Sequence, residues 1–253
     1  MWLDVRQLEK HYPAHPHRLF SRERHRVING VSFALARGDC LGLVGASGSG
    51  KSTLARLIAG LERPDSGSVW LAGEPVWNAP PGRVRISGVF QDYRRAINPT
   101  MTVQQAIAEP LRLRAALSPR QLAGQVAEIL MMVGLSPQLA VRYPHALSGG
   151  QIQRVCIGRA IADAAQLLIL DEAISALDVC SQVQILDLLA ELRQRITLTC
   201  ILITHDMQAA AYLCNRFLFL HEGAIIEEAD VAHLGALSHP VARRLLHAVQ
   251  VFD

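Results

Sequence analysis

Apolar positions recur with two different periods along the chain, and the two kinds of segment alternate. Short runs that are apolar throughout, or at every second residue, predict β-strands, whereas longer segments with apolar residues three or four apart predict α-helices. Strands are predicted at residues 2–7, 27–35, 40–44, 68–71, 84–91, 165–172, 198–204, 216–221 and 224–228. Helices are predicted at residues 53–60, 103–117, 119–133, 151–162, 179–195 and 233–251. Strands and helices that alternate in this way indicate an α/β fold.

Three of the predicted helices follow one another with no strand between them, and proline and glycine residues separate them. Residues 92–158 are therefore expected to form a helical insertion within a single domain that spans residues 1–253. Residues 1–91 and 159–230 are expected to form the α/β core with its β subdomain, and residues 231–253 a C-terminal tail.

Composition narrows the class of protein. Half of the 253 residues are hydrophobic and 19% are charged, so a substantial core is expected and disorder is not. The net charge of +3 is too small to predict a nucleic-acid partner. No apolar run approaches the roughly 20 residues that span a bilayer, and residues 1–10 lack the apolar run of a signal peptide. A protein that is neither secreted nor integral to the membrane is expected, although it can still sit on a membrane protein.

The cysteines and the histidines are potential metal ligands, but the spacing of neither set predicts a metal site. Five cysteines are scattered without a C-x-x-C pair, which favours reduced, buried thiols in the cytosol. Histidine and arginine crowd residues 11–26, but the spacing of the histidines matches no metal-ligand pattern. A solvated loop insertion is the favoured interpretation of that segment.

The strongest local chemistry lies at Gly45-Ala46-Ser47-Gly48-Ser49-Gly50-Lys51-Ser52, which fits the phosphate-loop pattern G-x-x-x-x-G-K-[ST]. A predicted strand precedes this segment and a predicted helix follows it, as the pattern requires. The glycines allow backbone N–H groups to point at an anion, and the helix N-terminus adds a partial positive charge. Lys51 is expected to reach the β- and γ-phosphates and Ser52 to hold Mg²⁺.

Two other predicted strands end in polar residues. The apolar run at residues 165–172 ends in Asp171 and Glu172, and the strand at residues 198–204 is followed by His205. The first run fits a central parallel strand, and open α/β sheets bind ligands at the carboxyl edge of such strands. Together with a phosphate loop, these residues predict nucleotide hydrolysis.

The segment Leu147-Ser148-Gly149-Gly150-Gln151 resembles the signature motif of ATP-binding cassette (ABC) ATPases. Gln91 resembles the Q-loop glutamine of that family, residues 175–178 its D-loop, His205 its switch histidine, and Tyr12 the aromatic residue that stacks on adenine. The resemblance extends from about residue 5 to residue 246. It implies a P-loop NTPase (RecA-like) core with an antiparallel β subdomain and a helical subdomain that carries the signature motif.

The resemblance also implies a role for each matching residue. ATP and Mg²⁺ are the expected cofactors. Nucleotide binding is expected of Tyr12, Gly45, Ala46, Ser47, Gly48, Ser49, Gly50, Lys51, Ser52, Thr53, Ser148, Gly149, Gly150, Gln151 and Asp178. The metal is expected at Ser52, Gln91 and Asp171, and the catalytic residues are expected to be Glu172, which polarises the attacking water, His205 and Gln91.

In this family two ATPase subunits meet head to tail, so that ATP lies between Lys51 of one subunit and Ser148 of the other. The expected partners are therefore a second ABC ATPase subunit (a paralogue or a second copy), two transmembrane permease subunits and, indirectly, a periplasmic substrate-binding protein, but no nucleic acid. The resemblance places the chain at the cytoplasmic face of the inner membrane as a peripheral subunit.

Shorter features suggest the cargo. Residues 91–103, the S-H-P segment at 238–240, the R-R-L-L segment at 243–246 and the insertion at 15–26 resemble peptide and nickel importers. Ala173 and Ile174 replace the Pro-Thr of most relatives, and this form resembles the nickel and metal-chelate branch. Import of nickel or a metal chelate is thus predicted, with di- or oligopeptide import as the alternative. A soluble ABC ATPase that acts on DNA or ribosomes and a regulatory cassette that does not hydrolyse ATP are less favoured.

Overall fold

The computed structural model describes residues 1–13, 24–90, 96–114, 116–175 and 177–247. Its strands are β1 (Leu3–Pro13), β2 (Arg24–Leu35), β3 (Cys40–Val44), β4 (Ser66–Leu71), β5 (Glu74–Pro75), β6 (Ile86–Phe90), β7 (Leu167–Asp171), β8 (Thr199–Ile203), β9 (Arg216–His221) and β10 (Ala224–Asp230). Its α-helices are α1 (Lys51–Ile58), α2 (Val103–Arg114), α3 (Pro119–Met132), α4 (Gly149–Ala162), α5 (Val179–Ile196), α6 (Met207–Leu213) and α7 (Pro240–His247).

The chain divides into two compact units. The first unit comprises Met1–Val84 and Ile201–Asp253, and the second comprises Arg85–Cys200. Strand β8 contributes its first two residues to the second unit and its last three to the first. The expected division into a core, a helical insertion at residues 92–158 and a tail stays a prediction.

An antiparallel sheet with the strand order β2-β1-β4-β5 forms one part of the first unit. In β1, the buried side chains of Leu3, Val5 and Leu8 face the core, while Arg6 and Gln7 are exposed. Pairing places Leu3 opposite Leu35 on one side and opposite Leu71 on the other. One apolar face on each of β1, β2 and β4 therefore stabilises the sheet.

The remainder of the first unit surrounds the phosphate loop. Strand β3 is buried at every position and runs parallel to β9, which pairs antiparallel with β10. Phe217 and Phe219 of β9 are fully buried. Helix α1 buries Leu54 and Leu57, and α6 packs near β3. This core holds both ends of the loop that joins β3 to α1.

The second unit combines a parallel strand pair with helices. Strands β6 and β7 run parallel, and β7 is buried at every position, as predicted for a central strand. Helices α2, α3 and α4 pack against one another. Arg154 of α4 donates a hydrogen bond to the carbonyl oxygen of Val133 at 2.9 Å, which holds α4 against the end of α3.

The histidine- and arginine-rich segment differs from the prediction at both of its ends. Strand β1 continues to Pro13, and strand β2 already begins at Arg24. Tyr12 of β1 pairs with His25 of β2. The predicted loop was too long because its polar residues suggested a loop, whereas those at both ends lie on paired strands. An antiparallel sheet can carry polar side chains on the face that is exposed to solvent. Residues 14–23 lie outside the described residues.

Three further differences concern short elements. Residues 72–75 were predicted as a turn but include the two-residue strand β5, and helix α6 was not predicted. The tail was predicted as one helix over residues 233–251, whereas a 3₁₀ turn at Val231–Ala236 precedes α7. Pro240 begins a new helix because it cannot continue one from the preceding residues. Among the described residues, no helix is both long enough and apolar enough to cross a membrane.

Candidate nucleotide-binding site

The phosphate loop of the first unit has a backbone shape that strongly favours glycine at several positions. Gly48 and Gly50 have φ angles of +76° and +105°. At Gly45, a Cβ atom would lie 2.4 Å from the carbonyl oxygen of Leu220 in β9. The N–H of Gly223, in the β9–β10 turn, donates to the Ser49 carbonyl at 3.1 Å. The turn between β9 and β10 thus supports the loop, which no sequence motif indicated.

Lys51 lies across this loop. Its Nζ atom donates hydrogen bonds to the carbonyl oxygens of Gly45 at 2.7 Å and Ala46 at 2.8 Å, and the residue is 8% exposed. In the part of the chain that the structure describes, no side chain caps the N-terminus of α1, and its first turn carries no acidic residue. Its first-turn N–H groups and positive dipole end suit an anion. The loop, Lys51 and α1 therefore fit a polyphosphate.

Tyr12 lies near the end of β1. Its hydroxyl group donates a hydrogen bond to Glu62 Oε2 at 2.6 Å, and the Lys10 ammonium lies 5.7 Å from the centre of its ring. Glu62 follows α1 in a short connection with no recognisable motif, so the sequence offered no signal for this contact.

His205 is exposed and follows β8 within the first unit. The next residue, Asp206, caps α6 by accepting hydrogen bonds from the N–H groups of Gln208 and Ala209 at 2.8 and 3.0 Å. The N–H of Asp206 donates to Thr204 Oγ1 at 3.0 Å. These bonds hold the backbone on both sides of His205. The Asp-Met-Gln-Ala-Ala-Ala segment was a usable helix-capping signal for α6.

In the second unit, β7 ends at Asp171, and Glu172, the second residue of the acidic pair predicted from the sequence, follows it directly. Asp171 is 9% exposed, and Glu172 adopts a φ of +48°, which is rare for a residue other than glycine. Backbone strain of this kind clusters at functional sites. The Glu172 carbonyl accepts hydrogen bonds from the hydroxyl group and the N–H of Ser175, at 2.8 and 3.3 Å, and these bonds stabilise the turn.

Ala173 and Ile174, the unusual pair after the acidic residues, are 1% and 2% exposed. The Gln182 side chain donates to the carbonyl oxygen of Ile174 at 3.2 Å. The turn is therefore held by hydrogen bonds from Ser175 and Gln182 to main-chain oxygens, and the departure from Pro-Thr leaves these bonds intact.

The signature segment forms the N-terminus of α4. Ser148 Oγ accepts a hydrogen bond from the N–H of Gln151 at 3.3 Å, and Gln151 Oε1 accepts one from the N–H of Ser148 at 3.0 Å. This reciprocal capping box fixes the helix start. Gly149 and Gly150 form the first turn and add no side chain to it. As predicted, Cys156 in this helix is buried, and burial raises the pKa of its thiol to about 12.

Asp178 caps α5. Its carboxylate accepts hydrogen bonds from the Ser181 N–H at 3.0 Å and from the Ser181 hydroxyl group at 2.7 Å, and these bonds lower the pKa of Asp178. A Cβ atom on Gly150 would lie 3.5 Å from Ser181 Oγ, so the signature segment lies close to the first turn of α5, which Asp178 caps. The sequence placed the signature segment and Asp178 in separate motifs without predicting this proximity.

The predicted site residues are thus distributed over both units. The first unit holds Tyr12, the phosphate loop with Lys51, and His205. The second unit holds Asp171, Glu172, the signature segment and Asp178. Gln91, predicted as a catalytic and metal-binding residue, lies outside the described residues.

Comparison with known proteins decides the family. The sequence profile of the ABC transporter family matches residues 28–175, which include the phosphate loop, the signature segment and the acidic pair. The chain belongs to the ABC transporter family. The predicted P-loop NTPase fold and the predicted ATPase function are confirmed at the level of the family. ATP is accordingly the nucleotide for the site.

Several relatives resemble this ABC cassette over most of its length. The nickel import ATP-binding protein NikE of Rhodospirillum rubrum is 41% identical, with 88% of this chain and 82% of the relative covered. The metal-staphylopine import system ATP-binding protein CntF of Staphylococcus aureus is 39% identical, with 96% and 97% covered. A dimeric, post-hydrolysis structure of the ATP-binding cassette MJ0796 with ADP and Pi has a TM-score of 0.78 at 27% identity, covering 90% of this chain and 98% of that chain.

Proposed function

We propose that this cassette hydrolyses ATP to energise the import of nickel or a metal chelate. The observation that carries the proposal is the identity of 39–41% to relatives named as nickel and metal-staphylopine import ATPases, over at least 88% of this chain. The Ala173-Ile174 form of the loop after the acidic pair agrees with the metal branch suggested by resemblance. The names of these relatives favour an importer over a soluble ABC ATPase.

Nucleotide binding is assigned mainly to the first unit. The phosphate loop at residues 45–50 wraps the phosphates with its N–H groups, and Lys51 exchanges its bonds to Gly45 and Ala46 for bonds to phosphate oxygens. Thr53, in the first turn of α1, adds a hydrogen-bond donor for the phosphates. The ring of Tyr12 stacks on adenine.

The chain's polar residues suit a hydrolytic reaction that is driven by positioning and charge. Ser52 and Asp171 supply a hydroxyl and a carboxylate oxygen, which are ligands that Mg²⁺ prefers. Mg²⁺, when bound, neutralises phosphate charge. Glu172 orients and polarises the attacking water, and His205 hydrogen-bonds the γ-phosphate. Gln91 is the remaining predicted residue, with a proposed role both in holding Mg²⁺ and in catalysis.

The signature segment acts on the nucleotide of a second ATPase subunit. The proposed role rests on the N-terminus of α4, where the exposed Ser148 and the half-buried Gly150 offer a hydroxyl group, N–H groups and a positive dipole end. Gln151 keeps this turn closed, and Asp178 fixes the adjacent start of α5. Dimerisation with a paralogue or a second copy completes each ATP site.

A matched pair of substitutions at Gly150 tests the composite site. A side chain fits there, because the nearest atom to a Cβ is 3.5 Å away. Aspartate at a helix N-terminus favours the helix but repels phosphate, whereas asparagine has the same shape without the charge. We expect Gly150→Asp to leave ATP binding by the isolated chain unchanged and to abolish hydrolysis in the assembled importer, with Gly150→Asn much less impaired. Equal activity of the two variants would refute the role.

Two transmembrane permease subunits are the proposed membrane partners, which places the cassette at the cytoplasmic face of the inner membrane, with a periplasmic binding protein as an indirect partner. A groove of about 350 Å³ in the second unit suits a permease segment. Its walls include Phe90 and Leu113, which are 37% and 87% exposed, and the Arg159–Glu109 ion pair at 2.7 Å.

Leu113→Asp is expected to release the chain from permease-containing membranes while basal ATPase activity stays near wild type. Met131→Asp is the matched control, because Met131 is 57% exposed in the same unit but does not line the groove. Equal membrane retention of both variants would remove the groove from the proposal.

Transport in a deletion strain tests the cargo. Cells that lack the chain are complemented with wild type or with Lys51→Ala, and uptake of radiolabelled nickel, nickel with a chelator, and a dipeptide is measured. We expect wild type, but not Lys51→Ala, to restore uptake of nickel or its chelate. Restoration of dipeptide uptake alone would establish the peptide-import alternative.

A further inference from the structure

The hydroxyl group of Tyr12 is held by a carboxylate that no predicted motif contains. Tyr12 Oη donates to Glu62 Oε2 at 2.6 Å, a short bond of the charge-assisted kind. Tyr12 and Glu62 are 50 residues apart in the sequence and are brought together by the fold of the first unit. Only the ring of Tyr12 is needed for stacking, so the stacking role leaves this hydrogen bond unexplained.

Glu62 is itself fixed by two cations. Lys10 Nζ lies 3.2 Å from Glu62 Oε1 and also donates to the Arg63 carbonyl at 2.7 Å. Arg56 Nε donates to Glu62 Oε2 at 3.3 Å. Burial alone would raise the pKa of Glu62, but the hydrogen bonds from Tyr12, Lys10 and Arg56 outweigh it and lower that pKa. Glu62 is therefore ionised at neutral pH and can accept from Tyr12.

Arg56 connects this arrangement to the phosphate loop helix. Arg56 Nη2 lies 3.5 Å from Tyr12 Oη and donates a hydrogen bond to Thr53 Oγ1 at 3.1 Å. Thr53 is 7% exposed and belongs to the first turn of α1, two residues after Lys51. One network thus joins the aromatic residue to the helix that binds phosphate.

We propose that Glu62 is a positioning residue that fixes the ring of Tyr12 for the nucleobase of ATP and ties it, through Arg56, to the helix of the phosphate loop. This inference rests on the proposed stacking of Tyr12 on adenine. A ring that is already fixed loses less rotational freedom when the base binds. Loss of the Glu62 carboxylate should then weaken ATP binding by roughly 2- to 10-fold.

The test separates the base from the phosphates. Binding of ATP and of inorganic tripolyphosphate, which has no base, is measured by calorimetry for wild type, Glu62→Ala, Tyr12→Phe and the double variant. Tyr12→Ala, which removes the ring, is measured in the same way to test the stacking itself. We expect each single variant to weaken ATP binding to a similar extent, the double variant to add little, and tripolyphosphate binding to stay unchanged. In ATPase assays KM should rise while kcat stays constant.

Two controls complete the design. Glu74→Ala removes another carboxylate of the first unit, paired with Arg83 at 3.4 Å, and should leave ATP binding unchanged. Glu62→Gln keeps an acceptor oxygen of the same reach and should retain more affinity than Glu62→Ala.

Four outcomes would overturn the inference. Equal losses for ATP and tripolyphosphate would show that Glu62 only supports the phosphate loop. Additive losses from Glu62→Ala and Tyr12→Phe would show that Glu62 does not act through the hydroxyl group. If Tyr12→Ala weakens ATP binding and Glu62→Ala does not, the inference fails while the proposed stacking stands. If Tyr12→Ala has no effect, the proposed stacking fails and the inference with it.

Discussion

The carbonyl oxygen of Glu172 accepts a hydrogen bond from the hydroxyl group of Ser175 at 2.8 Å, and Glu172 itself has a φ of +48°. The bond belongs to a turn that begins where β7 ends, so the strained backbone at Glu172 is held in place by its own loop. This backbone fixes the direction in which the Glu172 side chain leaves the main chain, which suits the proposed role of orienting water.

Replacing this carboxylate should separate binding from turnover. We expect Glu172→Gln to bind ATP like wild type and to lose turnover by roughly 10²–10⁴-fold, the usual contribution of a positioned base. ATP binding by calorimetry and phosphate release at saturating ATP measure the two properties. Undiminished phosphate release would refute the assigned role. Glu191→Gln, at an exposed site on α5, serves as the control.

Two glycines of the phosphate loop should differ in their response to a methyl group. Gly48 has a φ of +76° but open space around it, so Gly48→Ala should cost about 1–2 kcal/mol of unfolding free energy, the cost of the left-handed backbone. Gly45→Ala would bring a Cβ to 2.4 Å from the Leu220 carbonyl, which cannot move without disturbing β9. Its loss in urea unfolding should be clearly larger, and equal losses would contradict the packing at Gly45.

The cysteines should differ sharply in reactivity. Cys180 is exposed, whereas Cys40, Cys156, Cys200 and Cys214 are buried. With a pKa of about 12, the Cys156 thiol is about one part in 10⁴ thiolate at pH 8. Native protein treated with a chromogenic disulfide reagent should show one fast-reacting thiol, and five should react in denaturant.

Cys180→Ser should remove the fast phase of this reaction and leave the other four thiols slow. A fast phase that persists in the Cys180→Ser variant would show that one of the buried cysteines is accessible.

The hydrogen bonds between Glu227 and the tail should make the free energy of unfolding fall at acid pH. Glu227 accepts hydrogen bonds from the N–H and hydroxyl groups of Ser238 at 2.6 and 2.9 Å and from the N–H of His239 at 2.9 Å. The bond from the Ser238 N–H is the main cause of the lowered pKa of Glu227. A carboxylate with a lowered pKa stabilises the folded state above its unfolded pKa, near 4.3, and this stabilisation is lost as pH falls through the folded pKa.

Urea unfolding midpoints at pH 7 and pH 3 test this dependence. Glu227→Gln should lower the midpoint at pH 7 and differ much less from wild type at pH 3. Glu222→Gln, whose side chain is 87% exposed, should match wild type at both values. A Glu227→Gln deficit that is the same at both pH values would show that its charge is irrelevant.

By itself, the sequence determined those features that depend only on residues close together in the chain. The phosphate loop, the strand with the acidic pair at its end, and the signature segment at residues 147–151 each depend on residues within a few positions of one another, so their patterns predict local structure and suggest a role. Family membership follows from the same segments. The sequence also indicated the boundaries of α3 and α5 closely, because capping residues and apolar periodicity agree there.

Only the tertiary structure decided which distant residues support those motifs. Leu220 and Gly223 support the phosphate loop, Ser181 brings Asp178 close to Gly150, and Glu62 holds Tyr12. These contacts join residues far apart in the chain, or depend on a Cβ that is absent, and neither leaves a periodic signal. The strand residues 8–13 and 24–26 were missed for a related reason, since pairing between strands can order polar residues that the sequence pattern does not assign to a strand.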